Sequence, residues 1–121
     1  MLLIDAANVV GSRPTGWWRD RAGAARTFVQ RVRDAVAAER LSEPVVIVLE
    51  GQARRGASEG VSGGVEVVHA AGEGDDALAA LAGSGSVSVT LVTADRGLAE
   101  RARGVGADVV GPRWLLDRLD H

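Results

Sequence analysis

Five carboxylates stand where buried elements of the chain end or begin. Three follow short apolar runs typical of strands and two adjacent ones open a helical segment: Asp5, Glu50 and Asp95 at strand ends, and the pair Asp75 and Asp76. A carboxylate at the end of a buried strand is costly unless a partner compensates its charge. Carboxylates that converge repel one another, so their ionised forms require a cation. Oxygen ligands favour Mg²⁺ or Mn²⁺, and such ions support phosphodiester cleavage by activating water.

Each of these acids also has a purely structural explanation. Asp5 could cap a turn, and Asp95 could cap the helix that follows it. One of Asp75 and Asp76 could cap their helix while the other coordinates a metal. Glu50 could end its strand in solvent. Acids at several strand ends in one α/β chain favour a shared site over unrelated caps.

The elements that must position these acids alternate along the chain. Apolar runs predict strands, and helical spacing of apolar residues predicts helices, in the order β-α-β-β-α-β-α-β-α. The predicted strands cover 2–4, 45–49, 65–68, 87–92 and 107–110, and the predicted helices cover 21–40, 77–81, 96–103 and a segment from Pro112 onward. Segment 52–64 is rich in Gly, Ser and Arg and predicts an exposed, mobile loop. This alternation predicts one domain over 1–121, a three-layer α/β/α arrangement with a mainly parallel five-stranded sheet.

Composition narrows the function classes. The 121 residues include no cysteine, which excludes a disulfide framework and a zinc–thiolate site. No apolar run approaches the roughly 20 residues that span a bilayer, and the amino terminus lacks a signal-peptide pattern, so we expect a cytoplasmic protein without membrane contact. The formal net charge is −2, and all 14 basic residues are arginine.

Arginines and tryptophans cluster directly after the first strand. The cluster comprises Arg13, Trp17, Trp18, Arg19, Arg21 and Arg26. Arginine contacts phosphates and aromatic rings stack on bases, so this composition predicts binding of single-stranded nucleic acid. One of the tryptophans could instead pack as core. Arg54, in the predicted loop, and Arg96, next to Asp95, are further candidates for phosphate contact.

Several short segments, taken in order, resemble the motifs of NYN domains, the PIN-like ribonucleases that include the YacP-like branch. The opening Ile4-Asp5-Ala6-Ala7-Asn8 resembles the family's I-D-x-x-N motif, and Val92-Thr93-Ala94-Asp95-Arg96 resembles its T-x-D-R stretch. Three further segments match in the same order. The family's acid-ended strand is resembled by Val48–Gly51, its acidic helix start by Gly74–Ala79, and its last strand by Gly106–Gly111. The matches keep the family's order over nearly the whole chain.

This resemblance implies a metal-dependent endoribonuclease with a sheet of order 3-2-1-4-5. It implies that Asp5, Asp76 and Asp95 are the catalytic, metal-binding acids and that Asn8 orients Asp5 or a phosphate. The chain departs from the family at Gly97, where a second acid is expected. Asp75 and Glu50 could compensate as additional ligands of Mg²⁺ or Mn²⁺.

The resulting hypothesis is hydrolysis of RNA, single-stranded by preference. The residues expected to contact RNA are Asn8, Arg13, Trp17, Arg19, Arg54 and Arg96. Gly97 motivates the alternative of a catalytically weak or inactive RNA-binding or scaffold module of the same fold. A phosphotransfer receiver fits less well because the chain has no lysine after the last strand. The oligomeric state stays open, a homodimer included.

Overall fold

Strands and helices alternate along the chain in a computed structural model that describes residues 1–85 and 87–120. The strands are β1 (Leu2–Asp5), β2 (Val45–Leu49), β3 (Gly60–Ser62), β4 (Val65–His69), β5 (Thr90–Val92) and β6 (Asp108–Val110). The helices are α1 (Ala6–Val10), α2 (Arg21–Ala37), α3 (Gly74–Gly83), α4 (Arg96–Gly104) and α5 (Pro112–Leu119), with 3-10 helices at Trp17–Arg19 and Gly51–Gly56.

The strands form one sheet of order β3-β4-β2-β1-β5-β6. The pairs are parallel from β4 through to β6, and Ile4 of β1 lies opposite Ile47 of β2 and Val92 of β5. The predicted order of five parallel strands is therefore confirmed. β3, which pairs antiparallel with β4 at the edge, is a sixth strand that was not predicted.

Apolar clusters lie on both faces of the sheet and create the three layers. Ile4 packs with Val29 and Val32 of α2 and with α5, whereas Leu3 packs on the other face with Leu78 of α3 and with α4. Adjacent residues of β1 serve opposite faces because side chains alternate along a strand. The apolar stripes predicted for α2 and α5 are buried as expected: Phe28, Val29, Val32, Val36, Leu115, Leu116 and Leu119.

α2 ends at Ala37, three residues earlier than the predicted end at 40. The Glu39 amide donates to the Val36 carbonyl and the Arg40 amide to the Ala35 carbonyl, at 3.0 and 2.8 Å. Glu39 has a φ of 62°, so the turn is a Schellman motif with a glutamate in the left-handed position that glycine normally occupies. Because no glycine marks this stop, the sequence pattern extends past it.

The segment predicted as a mobile loop, 52–64, is instead held against the protein. Its first part continues the 3-10 helix Gly51–Gly56 and its last part contains β3. A Cβ added at Gly56 would lie 2.3 Å from the Ala22 carbonyl oxygen, so the missing side chain is what lets this segment lie against α2. The structure thus has regular elements where a loop was predicted, because glycine here permits close packing.

Smaller differences concern element ends. α1 occupies the place where a polar turn was expected after β1, α3 is longer than the predicted 77–81, and β5 is shorter than the predicted 87–92. Within the described residues, no helix combines the length and apolarity needed to cross a bilayer.

Candidate active site

Asp5 is the buried centre of the site. It ends β1, is only 5% exposed, and its Oδ2 accepts a hydrogen bond from the Thr93 hydroxyl at 2.9 Å. Its Oδ1 accepts from the Asn8 amide at 3.3 Å. Burial raises the pKa of Asp5 to about 6, with Glu50 and Asp75 adding to the rise against the lowering by the two hydrogen bonds. At neutral pH the protein thus holds a carboxylate that its surroundings disfavour.

Thr93 and Asn8 join the ends of the neighbouring strands β1 and β5 around this carboxylate. The Thr93 oxygen, which donates to Asp5, also accepts from the Asp95 amide at 3.1 Å. The Asn8 side-chain oxygen accepts from the Ala94 amide at 2.7 Å. Asn8 therefore orients Asp5 through its backbone, while its side chain fixes the turn after β5. Thr93 was missed as a site residue, although it lies in the Thr-x-Asp segment that carried the resemblance.

Asp95 and Glu50 each use one carboxylate oxygen to hold the start of a helix. Asp95 caps α4 by accepting from the Leu98 amide at 3.0 Å. Glu50 accepts from the Gly74 amide at 3.0 Å and so satisfies an amide at the start of α3. A Cβ at buried Gly74 would lie 3.2 Å from the second Glu50 oxygen, which explains how closely the two meet. Glu50 is thus a structural part of the carboxyl edge and not a solvated strand end.

Asp75 and Asp76 are neighbours on α3, but their carboxylates face different surroundings. Partial burial and the negative charges of Asp95 and Glu50 raise the pKa of Asp75. The Asp76 side chain is 90% exposed and pairs with Arg101 at 3.1 Å. The resemblance implies Asp76 as the helix acid of the site, but of the two neighbours it is Asp75 whose carboxylate lies near the other acids.

We define the acid cluster as Asp5, Glu50, Asp75 and Asp95. The charges of Glu50 and Asp75 contribute to the raised pKa of Asp5, and those of Asp95 and Glu50 to the raised pKa of Asp75. The Thr93 hydroxyl joins the Asp5 carboxylate to the backbone amide of Asp95. In the part of the chain that the structure describes, none of the ion pairs involves these four residues. In the same residues, no three Asp, Glu or His side chains are already arranged as a metal site. By ligand type the set suits a hard divalent ion, because all four members are carboxylates and none of them forms an ion pair within the described residues.

Arg13, predicted to bind RNA, lies in a different charge cluster. Its guanidinium donates to an Asp120 oxygen at 2.8 Å, and Arg31 donates to the other oxygen of the same carboxylate. These arginines hold the pKa of Asp120 below its usual value, with the Arg13 hydrogen bond as the main cause. The structure therefore does not bring Arg13 to the acid cluster with its charge free.

Trp17, Trp18 and Arg19 form the 3-10 helix before α2, and their side chains lie close together. The two indoles meet edge to face with centroids 6.0 Å apart. Arg19 lies 5.7 Å from the exposed Trp18 ring, and Arg21 lies 5.4 Å from the partly buried Trp17 ring. We call Trp17, Trp18, Arg19 and Arg21 the tryptophan surface; it offers flat faces and positive charge at the end of α2 nearest the carboxyl edge of the sheet.

Arg54 and Arg96 lie at the rim of that edge. Arg54 donates to the Gly51 and Ala70 carbonyls at 3.1 and 3.4 Å, which holds the 3-10 helix after β2 against the end of β4. Arg96 is the exposed first residue of α4, directly after Asp95. Both positions remain compatible with the predicted phosphate contacts.

A parallel α/β/α sheet with carboxylates gathered at its carboxyl edge defines the class of architecture, since ligands of open α/β sheets bind at that edge. The fold is similar to two crystal structures of Rae1 (YacP) from Bacillus subtilis, one of them a mutant form, with TM-scores of 0.73 and 0.69. Sequence identity is 20% in both, and the similarity covers 99% and 98% of this chain and 73% of the Rae1 chain. No protein-family model and no curated protein sequence matches the chain. The fold implied by the resemblance is thereby confirmed.

Proposed function

We propose that the protein is a metal-dependent endoribonuclease that hydrolyses phosphodiester bonds in single-stranded RNA. The observation that carries the proposal is Asp5, a buried carboxylate with a pKa of about 6, surrounded by further acids at the carboxyl edge of the sheet. A protein that served only as a scaffold would not need a carboxylate here, because burying a neutral residue at this position would destabilise the fold less. The fold similarity to Rae1 (YacP) and the motifs in family order support the same function.

Mg²⁺ or Mn²⁺ would be held by Asp5, Asp75 and Asp95, with Glu50 adding negative charge beside them. Such an ion, when bound, supplies an activated water and stabilises the leaving oxygen of the phosphodiester. Thr93 keeps the Asp5 carboxylate in one orientation by its hydroxyl donation. Among the described residues, the helix bonds of Asp95 and Glu50 each leave one carboxylate oxygen without an amide donor, so each acid keeps acceptor capacity.

The RNA would be bound by side chains around the acid cluster. Arg96 and Arg54 are placed to contact phosphates on either side of the edge, and Arg19 does so from the tryptophan surface. Trp17 supplies a stacking face for a base, which requires an unpaired nucleotide and therefore favours single strands.

Cleavage of a fluorescently labelled single-stranded RNA tests this function. The purified protein should cut with Mg²⁺ or Mn²⁺ and stop when EDTA is added. Asp5→Asn should reduce the rate at least about 100-fold, because even residues that only support metal ligands are worth 10- to 100-fold. The matched control is Asp108→Asn, which removes the same charge at the exposed start of β6, the opposite edge of the sheet. Equal cleavage by the Asp5 and Asp108 variants would refute the assignment.

A second function is favoured by one feature, Gly97, which stands where the resembled family has an acid. A module of this kind would bind RNA without cutting it. Binding that EDTA does not weaken, together with intact RNA after long incubation with Mn²⁺, would identify this alternative. Because a Cβ at Gly97 meets only an Asp95 oxygen at 3.5 Å, the variant Gly97→Asp fits and should increase cleavage if the missing acid limits it.

A further inference from the structure

A cleft of about 400 Å³ lies between the acid cluster and the tryptophan surface. Trp17 and Arg21 line one side of it, and Glu50 with the neighbouring Glu73 lines another. Small side chains form much of the rest: Ala6, Ala7, Ala24, Ala25, Ala53, Gly51 and Gly72. We call this space the alanine cleft.

The walls of the alanine cleft match the surface of a nucleobase. An indole and a guanidinium offer flat faces for stacking, and alanines leave room for a ring without competing polar groups. Because the cleft is bordered by Glu50, a base in it would lie next to the acid cluster. A nucleotide bound there would thus be adjacent to the phosphodiester that the proposed function places at Asp5.

Glu50 gives the cleft a chemical preference. One Glu50 oxygen holds the Gly74 amide, and a carboxylate retains further acceptor sites but has no donor. Guanine carries two adjacent N–H donors on its Watson–Crick edge. Adenine and cytosine pair their amino group with a ring-nitrogen acceptor, and uracil flanks its single N–H with carbonyl oxygens. A carboxylate therefore accepts best from guanine.

We propose that the alanine cleft binds one unpaired guanine of the RNA, stacked against Trp17 and Arg21, with Glu50 accepting from its Watson–Crick edge. The proposal deepens the ribonuclease function and rests on it for the identity of the substrate. It makes the cleft the site of sequence preference, whereas the arginines contact the phosphates of any RNA.

Binding is tested with guanosine, adenosine, cytidine and uridine in EDTA, by recording the indole N–H signals of the three tryptophans in ¹H–¹⁵N spectra. Guanosine should move the Trp17 signal and leave that of Trp114 in place. Its Kd should be about tenfold lower than that of uridine. One additional hydrogen bond to a charged group changes the binding free energy by an amount that corresponds to about this factor. Trp17→Phe assigns the signal.

Three variants sharpen the test. Ala7→Leu places a larger side chain in the cleft at an exposed helix position and should abolish the guanosine response, whereas Ala37→Leu, the same change at the exposed end of α2, should not. Glu50→Gln keeps an oxygen for Gly74 but presents an amide donor, so guanosine should lose its advantage.

The failure of this proposal is distinct from failure of the ribonuclease function. Equal shifts with all four nucleosides, or an unchanged guanosine response in Ala7→Leu, would refute the guanine pocket while RNA cleavage stands. Guanosine binding by a protein that never cuts RNA would support the pocket and refute the nuclease. Where RNA is cut, the rate next to guanine should fall in Ala7→Leu and not in Ala37→Leu.

Discussion

Two charged regions of the molecule treat their carboxylates in opposite ways. In the acid cluster, burial raises the pKa of Asp5 to about 6, and within the described residues no salt bridge reaches it. At the end of α5, exposed Asp120 is shared by Arg13 and Arg31, which lower its pKa. Arginines thus pair with exposed Asp120, which water would solvate in any case, whereas buried Asp5 has no ion-pair partner among the described residues.

The contrast indicates which carboxylates serve the stability of the fold and which are retained at a cost to stability. The chain has 14 arginines, so cations were available to the acid cluster. Buried acids without cations lower stability, and conflicts of this kind concentrate at functional sites. The paired region, by contrast, links the loop after α1 and helix α2 to the chain end and has an evident structural purpose.

Beyond the loss expected for Asp5→Asn, the largest expected effect separates two neighbouring residues. Asp75→Asn should lower RNA cleavage by about 10- to 100-fold, because Asp75 faces the acid cluster. Asp76→Asn should leave the rate within twofold, roughly the size of a surface change, because Asp76 pairs with Arg101 in solvent. Initial rates on one RNA at saturating Mn²⁺ measure both. A larger loss with Asp76→Asn than with Asp75→Asn would favour Asp76 as the helix acid, as the resemblance implies.

Thr93 should have the next largest effect. Thr93→Val removes the hydroxyl that donates to Asp5 and accepts from the Asp95 amide, so Mn²⁺ should bind about tenfold more weakly. Thr93→Ser keeps the hydroxyl and should restore the affinity. Titration calorimetry with Mn²⁺ reports the change, and circular dichroism shows whether each variant is folded. Equal affinity of the Val and Ser variants would mean that Thr93 does not position Asp5.

Asp5 should make the metal-free protein less stable as the pH rises. Its pKa is about 6 when folded and 3.8 ordinarily, so between these values the folded state holds the proton that the unfolded state has lost. The free energy of unfolding therefore falls from about pH 4 to about pH 6, by about 3 kcal/mol for this group. Asp5→Asn lacks this term and should be the more stable protein at pH 7.

Urea unfolding in EDTA at several pH values measures that difference. Asn can accept from the Asn8 amide and donate to the Thr93 oxygen, so the substitution should preserve the local hydrogen bonds. Parallel pH profiles for the wild type and Asp5→Asn would show that the carboxylate is not strained by its burial.

The smallest effect should come from Asp120. Its carboxylate stabilises the folded state at neutral pH, whereas that of Asp5 destabilises it. The pKa of Asp120 is lowered in the folded state, so its contribution stabilises at neutral pH and is lost on acidification through the folded pKa. Asp120→Asn should lower the melting temperature slightly, and salt should reduce the loss because the ion pairs are exposed. Thermal melts at low and high salt provide the measurement. A fall in melting temperature that does not depend on salt would indicate that Asp120 stabilises the protein by packing and not by its charge.

Most of the fold followed from residue patterns, because apolar runs and helical stripes report burial directly. The order of the parallel strands came from the resemblance, and the structure confirms it. The early end of α2 was not predictable, since Glu39 occupies a position where glycine normally marks the stop. The ordered segment before β4 was missed because glycine at Gly56 serves close packing, whereas glycine-rich sequence usually indicates mobility.

The site was predictable to the level of strand ends and no further. Asp5, Glu50 and Asp95 follow apolar runs, and parallel strands bring such ends together. The choice between Asp75 and Asp76 depends on the rotation of α3 about its axis, which sequence spacing does not define. Likewise, the partner of Arg13 is Asp120, 107 positions away, and only the folded chain reveals it.

The short edge strand β3 has a consequence for how the protein behaves when crowded. An open sheet exposes backbone amides and carbonyls at its margin, and these recruit strands from other molecules into aggregates. Here the margin beyond β4 is covered by three residues that begin at Gly60, whose φ is 136°, and are followed by Gly63 and Gly64, also at positive φ. So short and twisted a margin is a poor template, and fibrillar growth from this side of the molecule is disfavoured.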